Sequence, residues 1–295
     1  MSLDSAQLET FAAVVREGSF DAAARALNVT PSAVSQRIKA LEEAVGQVLV
    51  RRVKPCQATE AGEPLLRLAG QLALLEREAL GAAHGAQGAA WTRAAIVVNA
   101  DSLATWFMPA LAALPPELRL MFDVHQDDQD YSADLLRSGT VMAAVTSQHV
   151  PVQGCRVQRL GAMDYIAVAA PAFHDAWFAG GVTGEALAVA PTVLLNRKDQ
   201  LQHRFMRTVT RRELDPPIHY IPAVAAFDEA IRLGLGWALV PERFAGPDLA
   251  AGRYRELVPG RRVSVPLYWQ HWRLESVVLT ALTDAVRTTA AAALS

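Results

Sequence analysis

The chain has only two cysteines, Cys56 and Cys155, in 295 residues. Two thiols so far apart support neither a disulfide framework nor a zinc site, so no metal is expected. A run of about eighteen apolar residues is also missing, which excludes a membrane-spanning helix. The opening Met-Ser-Leu-Asp-Ser-Ala-Gln carries neither a basic n-region nor an apolar h-region, so no secretory leader is expected and the compartment is read as cytoplasmic. There is no excess of positive charge: the formal net charge is −2 and the sequence pI about 6.4. That balance argues against indiscriminate binding to polyanions, but it leaves room for a reader that needs only one basic patch. Catalytic signatures are lacking too. His125, His149 and His174 are scattered, with no His-Glu-x-x-His, Gly-x-Ser-x-Gly or glycine-rich phosphate loop around them. Cys155 lies near His149 in sequence, but no third group orients the pair, so the thiol is read as inert and the chain as no enzyme. No cofactor is expected.

What is present is a globular composition, 52% apolar and 20% charged, in a chain long enough for two or three domains with real cores. The most informative stretch is Thr30 to Gly46. Thr30 can cap a helix, Pro31 suits its first position, and Gly46 can end it in the left-handed conformation. Val34, Ile38, Leu41 and Val45 recur at helical spacing and predict one buried stripe. The opposite face carries Ser32, Ser35, Gln36, Arg37 and Lys39, short hydroxyls, an amide and two cations. These are the groups that reach base edges and phosphates in a major groove. Before it, Ser19 to Asn28 reads as a second helix with Phe20, Ala23, Ala24 and Leu27 on one face. Only Asn28 and Val29 separate the two, and the small alanines allow the close crossing of a helix-turn-helix. An ordinary helical hairpin in a core has the same apolar pattern, but not the polar face.

The run Ala23-Ala24…Leu27…Thr30-Pro-Ser-Ala-Val-Ser-Gln-Arg-Ile-Lys39…Leu41-Glu42 resembles the N-terminal signature of LysR-type transcriptional regulators, over residues 5–65. The resemblance implies an α+β chain: a winged helix-turn-helix with a long linker helix, then a two-lobed α/β effector domain like a periplasmic binding protein. It implies double-stranded DNA and a second copy of the chain as partners, as a homodimer or a dimer of dimers, with RNA polymerase as a further contact. The DNA-binding residues expected are Thr30, Ser32, Ala33, Ser35, Gln36, Arg37 and Lys39 on the helix, with Arg51, Arg52 and Lys54 on a wing read over Val48–Pro55.

In chain order, Ser5 to Glu17 reads as the first helix, with Leu8, Phe11, Val14 and Val15 inward and Gly18 stopping it. The expected domains are 1–58 for DNA binding and 59–80 for the linker helix. In the linker, Leu65, Leu68, Leu72 and Leu75 repeat at +3, +4, +3 as a heptad seam. A small-residue hinge is read at 81–91, and the effector domain at 92–295. Within it, strands and helices alternate, with lobe I at about 92–164 and 269–295 and lobe II at about 165–268.

This half most resembles the regulators of basic amino-acid export, the ArgP/LysG branch, also described as chromosome-replication initiation inhibitors. The matching segments are Val98-Asn-Ala-Asp-Ser-Leu-Ala-Thr-Trp106, Ala144-Val-Thr-Ser-Gln-His149, Leu160-Gly-Ala-Met-Asp-Tyr165 and Leu267-Tyr-Trp269. The implied effector is lysine, arginine or histidine, and the implied target is an exporter promoter. From the residues themselves, Asn99-Ala-Asp-Ser102 is expected to cap a helix beginning at Leu103, and Ser102 to offer its N-terminus to an α-carboxylate. Asp101, Asp127, Asp128, Asp164 and Asp228 are the carboxylates expected near element ends for the cationic groups. Thr146 and Ser147 follow a strand as hydrogen-bond partners. A different class of function, an origin- or nucleoid-binding protein with no small ligand, fits the same DNA-binding half.

Overall fold

The first helix starts and stops on residues with a physical reason to be there. In the computed structural model, which describes residues 3–84, 91–126 and 132–295, α1 (Ser5–Glu17) begins where Asp4 accepts a hydrogen bond from the Gln7 N–H at 3.1 Å. It ends at Gly18, whose φ of 70° a side chain would strain. α2 (Phe20–Ala26) is capped by the Ser19 hydroxyl. α3 (Pro31–Val45) is capped by Thr30 and closed by Gly46 at φ 75°. Val34, Ile38 and Leu41 are fully buried and join Leu8, Phe11, Val14, Ala23 and Ala24 in one core.

The wing differs from the expectation. Its strands are β1 (Val50–Arg51) and β2 (Gln57–Ala58), paired antiparallel, so the second strand lies beyond Pro55 and the three cations sit on the first strand and the loop. Glu42 ties the wing to α3, its carboxylate accepting from the Leu49 N–H at 2.8 Å and the Val50 N–H at 3.3 Å. The linker helix α4 (Glu63–His84) begins four residues later than read, because Thr59 closes a turn first, accepting from the Gly62 N–H at 3.1 Å. Gly62 is required there: a Cβ would lie 2.5 Å from the Leu49 carbonyl oxygen. α4 continues through Gly81–His84, four residues read as hinge, while 85–90 of that hinge lie outside the described residues. No helix among the described residues is long and apolar enough to cross a membrane.

Beyond it come β3 (Thr92–Val98), α5 (Ala100–Ser102), a π-helical turn at Leu103–Phe107, α6 (Met108–Ala112), β4 (Leu120–Gln126), α7 (Ser132–Arg137), β5 (Ala143–Thr146) and β6 (Cys155–Ala169). Next are α8 (Pro171–Phe178), α9 (Gly184–Val189), β7 (Thr192–Leu194), α10 (Leu201–Val209), β8 (Ile218–Tyr220), α11 (Val224–Arg232), β9 (Ala238–Pro241), α12 (Glu242–Ala250), β10 (Arg255–Glu256), β11 (Val263–Trp272) and α13 (Val277–Ala293).

The chain divides into two compact units, each described by itself. Unit 1 comprises 1–99, 110–158 and 268–286; unit 2 comprises 100–109, 159–267 and 287–295. The division departs from the expected lobes, because 100–109, 159–164 and the last nine residues fall in unit 2.

In unit 1, β3 pairs parallel with β4 and with β5, and Tyr268–His271 of β11 runs antiparallel to β5. The almost unbroken apolar run of β3 suits a strand covered on both faces. β4, half exposed along its length, suits an edge. Gln270 is buried and satisfied, its amide donating to the carbonyls of Gln148 and Val150 and accepting from the Val152 N–H, all at 3.0 Å.

In unit 2, the end of β6 pairs antiparallel with β9 and β10, and β7 pairs parallel with β8. Its core gathers Ile166, Val168, Val193, Phe227, Ile231 and Val240.

Replacing Glu42 with alanine leaves two backbone N–H groups without their carboxylate. We expect a loss of about 1–3 kcal/mol in the stability of the DNA-binding part, measured by urea unfolding. A change smaller than the measurement error would show that water replaces the carboxylate at no cost.

Candidate nucleic-acid interface and ligand-binding residues

The core described above decides which side of α3 is outward. With Val34, Ile38 and Leu41 sequestered, Ser32, Ser35, Gln36 and Lys39 are exposed along the opposite face, and Thr30 stands exposed at the helix start. Ala33 is half-buried next to them, with its N–H engaged by Thr30. Lys39 pairs only loosely with Glu43, at 3.6 Å between two well-exposed side chains, so solvent and salt readily compete for it. Arg51, Arg52 and Lys54 are all exposed on the wing. The Arg52 guanidinium lies 4.8 Å from the centroid of the Phe20 ring, which holds one wing cation against α2.

Arg37 departs from this set. It is half-buried, and its Nη1 donates to the Thr10 hydroxyl at 3.3 Å, so it links α3 to α1 rather than standing out with Gln36 and Lys39. The reason is angular: Arg37 neighbours Ile38 on the side of α3 that turns toward the fully buried Thr10.

The ligand-binding expectations fare unevenly. In unit 2, Ser102 does not cap a helix. The helical run already begins at Ala100, Ser102 has helical φ and ψ (−63°, −41°), and its side chain makes no capping bond. Its hydroxyl is buried without a hydrogen-bond partner. Beside it the Asp101 carboxylate accepts from the Tyr165 hydroxyl at 2.7 Å, and the Thr105 hydroxyl donates to the Asp101 carbonyl at 2.6 Å. The π-helical turn immediately follows, a distortion that often accompanies function.

Asp164 and Asp228 are not at element ends. Asp164 lies inside β6 and accepts from the Ser264 hydroxyl across to β11. Asp228 is buried within α11, where it accepts from the Tyr254 hydroxyl and pairs with Arg232 at 2.6 Å. Arg232 also pairs with buried Asp248 at 2.9 Å, and Arg253 completes the cluster. Burial works to raise Asp248, yet Arg253 and Arg232 hold it below the usual carboxylate range. Desolvation and the neighbouring Asp228 push the Tyr254 phenol far up. These groups serve each other, a role that spacing alone did not reveal.

In unit 1, Asn99 directly follows β3, and its Oδ1 is buried without a partner. Thr146 ends β5, with its hydroxyl accepting from the Gln148 N–H at 3.1 Å, and Ser147 is the next residue. Asp127 and Asp128 lie outside the described residues. Burial pushes the Cys155 thiol up to about 11, despite the opposing charge of Arg67, so it stays protonated at neutral pH and is a poor nucleophile. Among the described residues no group of His, Cys, Asp and Glu could hold a metal.

A winged helix-turn-helix with a polar, solvent-facing third helix, followed by α/β units, defines a DNA-binding transcriptional regulator of the ligand-responsive kind. The chain belongs to the LysR family: residues 5–63 match the bacterial regulatory helix-turn-helix protein, lysR family, and residues 93–291 match the LysR substrate binding domain. It is 50% identical to the HTH-type transcriptional regulator LysG of Mycobacterium tuberculosis, over 98% of this chain and 94% of that one. It is 41% identical to the lysine export transcriptional regulatory protein LysG of Corynebacterium glutamicum, covering 95% of each. Among solved structures, full-length LysG from Corynebacterium glutamicum with bound effector Arg superposes with a TM-score of 0.80 at 40% identity, covering 99% of each chain.

Two substitutions separate reading from anchoring. Gln36→Ala should relax base preference, narrowing the gap between operator and altered operator by roughly 1–3 kcal/mol. Arg52→Ala should weaken all sequences alike and lower the salt slope by about one. Fluorescence anisotropy across a salt series on matched and scrambled duplexes checks both. Identical effects from the two changes would show that the helix and wing roles are misassigned.

Proposed function

We propose that this regulator senses a basic amino acid, arginine or lysine with histidine as a further candidate, and controls a promoter, that of an amino-acid exporter. The observation that carries the reading is the first turn of the helix in unit 2, where the Asp101 carboxylate stands next to the unpartnered hydroxyl of buried Ser102. A buried hydroxyl without a partner costs about 1–3 kcal/mol, which an amino-acid ligand offsets by hydrogen bonding to it. An amino acid brings both an anionic and a cationic group, for which this turn has a hydroxyl and a carboxylate. In unit 1, taken by itself, Asn99, Thr146 and Ser147 lie at strand ends, the kind of position from which α/β folds commonly offer polar groups to a ligand. The relatives support the choice of ligand: one was solved with bound arginine, and another is named for lysine export. Asp164 and Asp228 are left out because neither stands beside an unpartnered buried group as Asp101 does: Asp164 accepts from Ser264, and Asp228 is enclosed with Tyr254 and Arg232.

The rest of the reading follows the family. The expected division is a DNA-binding part at 1–58, a linker at 59–80, a hinge at 81–91 and an effector domain from 92. The chain works as a homodimer or dimer of dimers, through the α4 face that carries exposed Leu68 and Leu75. Ligand acts by favouring one arrangement of the subunits on DNA, which alters the bend and the access of RNA polymerase. The protein acts in the cytoplasm, turns over no substrate and needs no cofactor.

Arginine or lysine at millimolar concentration should raise the melting temperature of the full-length protein, and glutamate should not. Ser102→Ala should weaken the response about tenfold in ligand concentration, equivalent to 1.4 kcal/mol, and leave operator affinity without ligand unchanged. Silence toward lysine, arginine and histidine alike would remove the amino-acid reading and leave the DNA reading standing.

A further inference from the structure

Within unit 1 a cavity of about 300 Å³ opens where α1 and α4 meet the edge of the β3–β4 sheet. Its floor is apolar, made by Leu66, Leu74 and the almost fully buried indole of Trp272. Gly70 of α4 lets the helix approach that indole; a Cβ there would come within 2.7 Å of the ring. The polar side is built differently. Arg16 of α1, Arg77 of α4 and Arg93 of β3 all line the cavity, His125 joins them from β4, and among the described residues none that line it is Asp or Glu.

The charges are only partly spent. Arg16 gives its Nε–H to Glu17 at 2.9 Å, and Arg77 gives one Nη1–H to the Trp91 carbonyl at 2.5 Å. Each guanidinium has further N–H donors in its fork. Arg93 is paired with Asp123; burial opposes the charge on that carboxylate, but Arg93 and then His125 hold it below the usual range, so this pair is internally balanced. Arg16 likewise shares its charge with Glu17, whereas Arg77 donates to a neutral carbonyl, so Arg77 is the main cation facing an occupant and Arg16 adds the free donors of its fork.

We propose that this cavity is a second ligand site, for a small monocarboxylate with a compact apolar body. The volume is at the small end of ligand pockets, which fits a ring or branched chain of single-ring size. The apolar floor takes the body, and the forks of Arg16 and Arg77 take the carboxylate. A free basic amino acid is the wrong ligand here, because its side-chain cation would face guanidinium groups with no carboxylate among the described lining residues to receive it. The site thus stands independently of the amino-acid reading. Its occupant touches the helices of the DNA-binding part and the first sheet together, and so favours the packing in which both walls are present.

Isothermal titration of the full-length protein with benzoate, up to about 10 mM, tests the proposal. Acetate supplies the charge without the body, benzylamine the body with the opposite charge, and inorganic phosphate an anion without apolar surface. Saturable binding of benzoate is expected, with each of the three controls at least tenfold weaker. Arg77→Met should weaken benzoate about tenfold, and Ala73→Phe, which fills the cavity from the exposed face of α4, should abolish it, with both variants keeping wild-type circular dichroism. An absence of saturable benzoate binding overturns the proposal. So does benzylamine binding as tightly as benzoate, or binding that survives both substitutions undiminished. Should either variant misfold, Arg16→Met tests the same fork, and unchanged benzoate affinity there counts against the site.

Discussion

The outward face of α3 depends on three side chains that never meet solvent. Val34, Ile38 and Leu41 have no accessible surface and lock α3 against Phe11, Val14 and the alanines of α2. A helix held on one stripe has only one rotation available, so the outward direction of Ser35, Gln36 and Lys39 is set from behind. The caps fix the other degree of freedom. Thr30 and Gly46 begin and end the helix at definite residues, and Glu42 joins its last turns to the wing. Helix and wing are thereby held as one surface, which a reader of a rigid groove requires.

The same division of faces recurs in α4. Leu66, Ala69 and Leu74 are buried within the chain, whereas Leu68 and Leu75 remain well exposed. Polar contacts secure the inner side to the rest of unit 1. Arg67 donates to the carbonyls of Arg137 at 3.4 Å and Gln153 at 3.1 Å, and Glu78 accepts from the Ser276 hydroxyl at 2.6 Å and the Val278 N–H at 3.0 Å. One helix therefore packs on α1 at its start and caps α13 near its end, and leaves a leucine strip outside. That strip is the apolar surface a second helix can cover.

Much of this was legible in the residue order, for an identifiable reason. Where a local rule and the tertiary structure agree, as in the Thr30-Pro31 start and the Val34/Ile38/Leu41 stripe, spacing suffices. The lobes were harder. Ser102 has the chemistry of a cap, and only the structure shows helical turns already under way at Ala100. Asp228 reads as an effector carboxylate near an element end because Tyr254 and Asp248, which enclose it together with Arg232, arrive from distant sequence. The wing, read as two-stranded within Val48–Pro55, extends further for a plainer reason: the two residues paired in register with Val50 and Arg51 have no periodicity to detect. α8, α9 and α12 are short helices, whose stability comes from packing rather than from a repeated pattern.

Charge follows the same logic and removes an apparent contradiction. A net charge of −2 suits a DNA reader poorly only if its carboxylates act at a distance. Several do not. Asp228 and Asp248 are buried against Arg232, Asp123 is bonded to Arg93, and Glu42 is turned onto two backbone N–H groups. Beyond these, charges separated by more than about 8 Å are largely screened at physiological salt. A phosphate approaching the wing therefore meets Arg51, Arg52 and Lys54 before it senses the sum over the chain. The net charge instead tempers attachment to arbitrary polyanions, and the groups proposed to discriminate, the amide of Gln36 and the hydroxyl of Ser35, stand clear of the core on the outward face of α3.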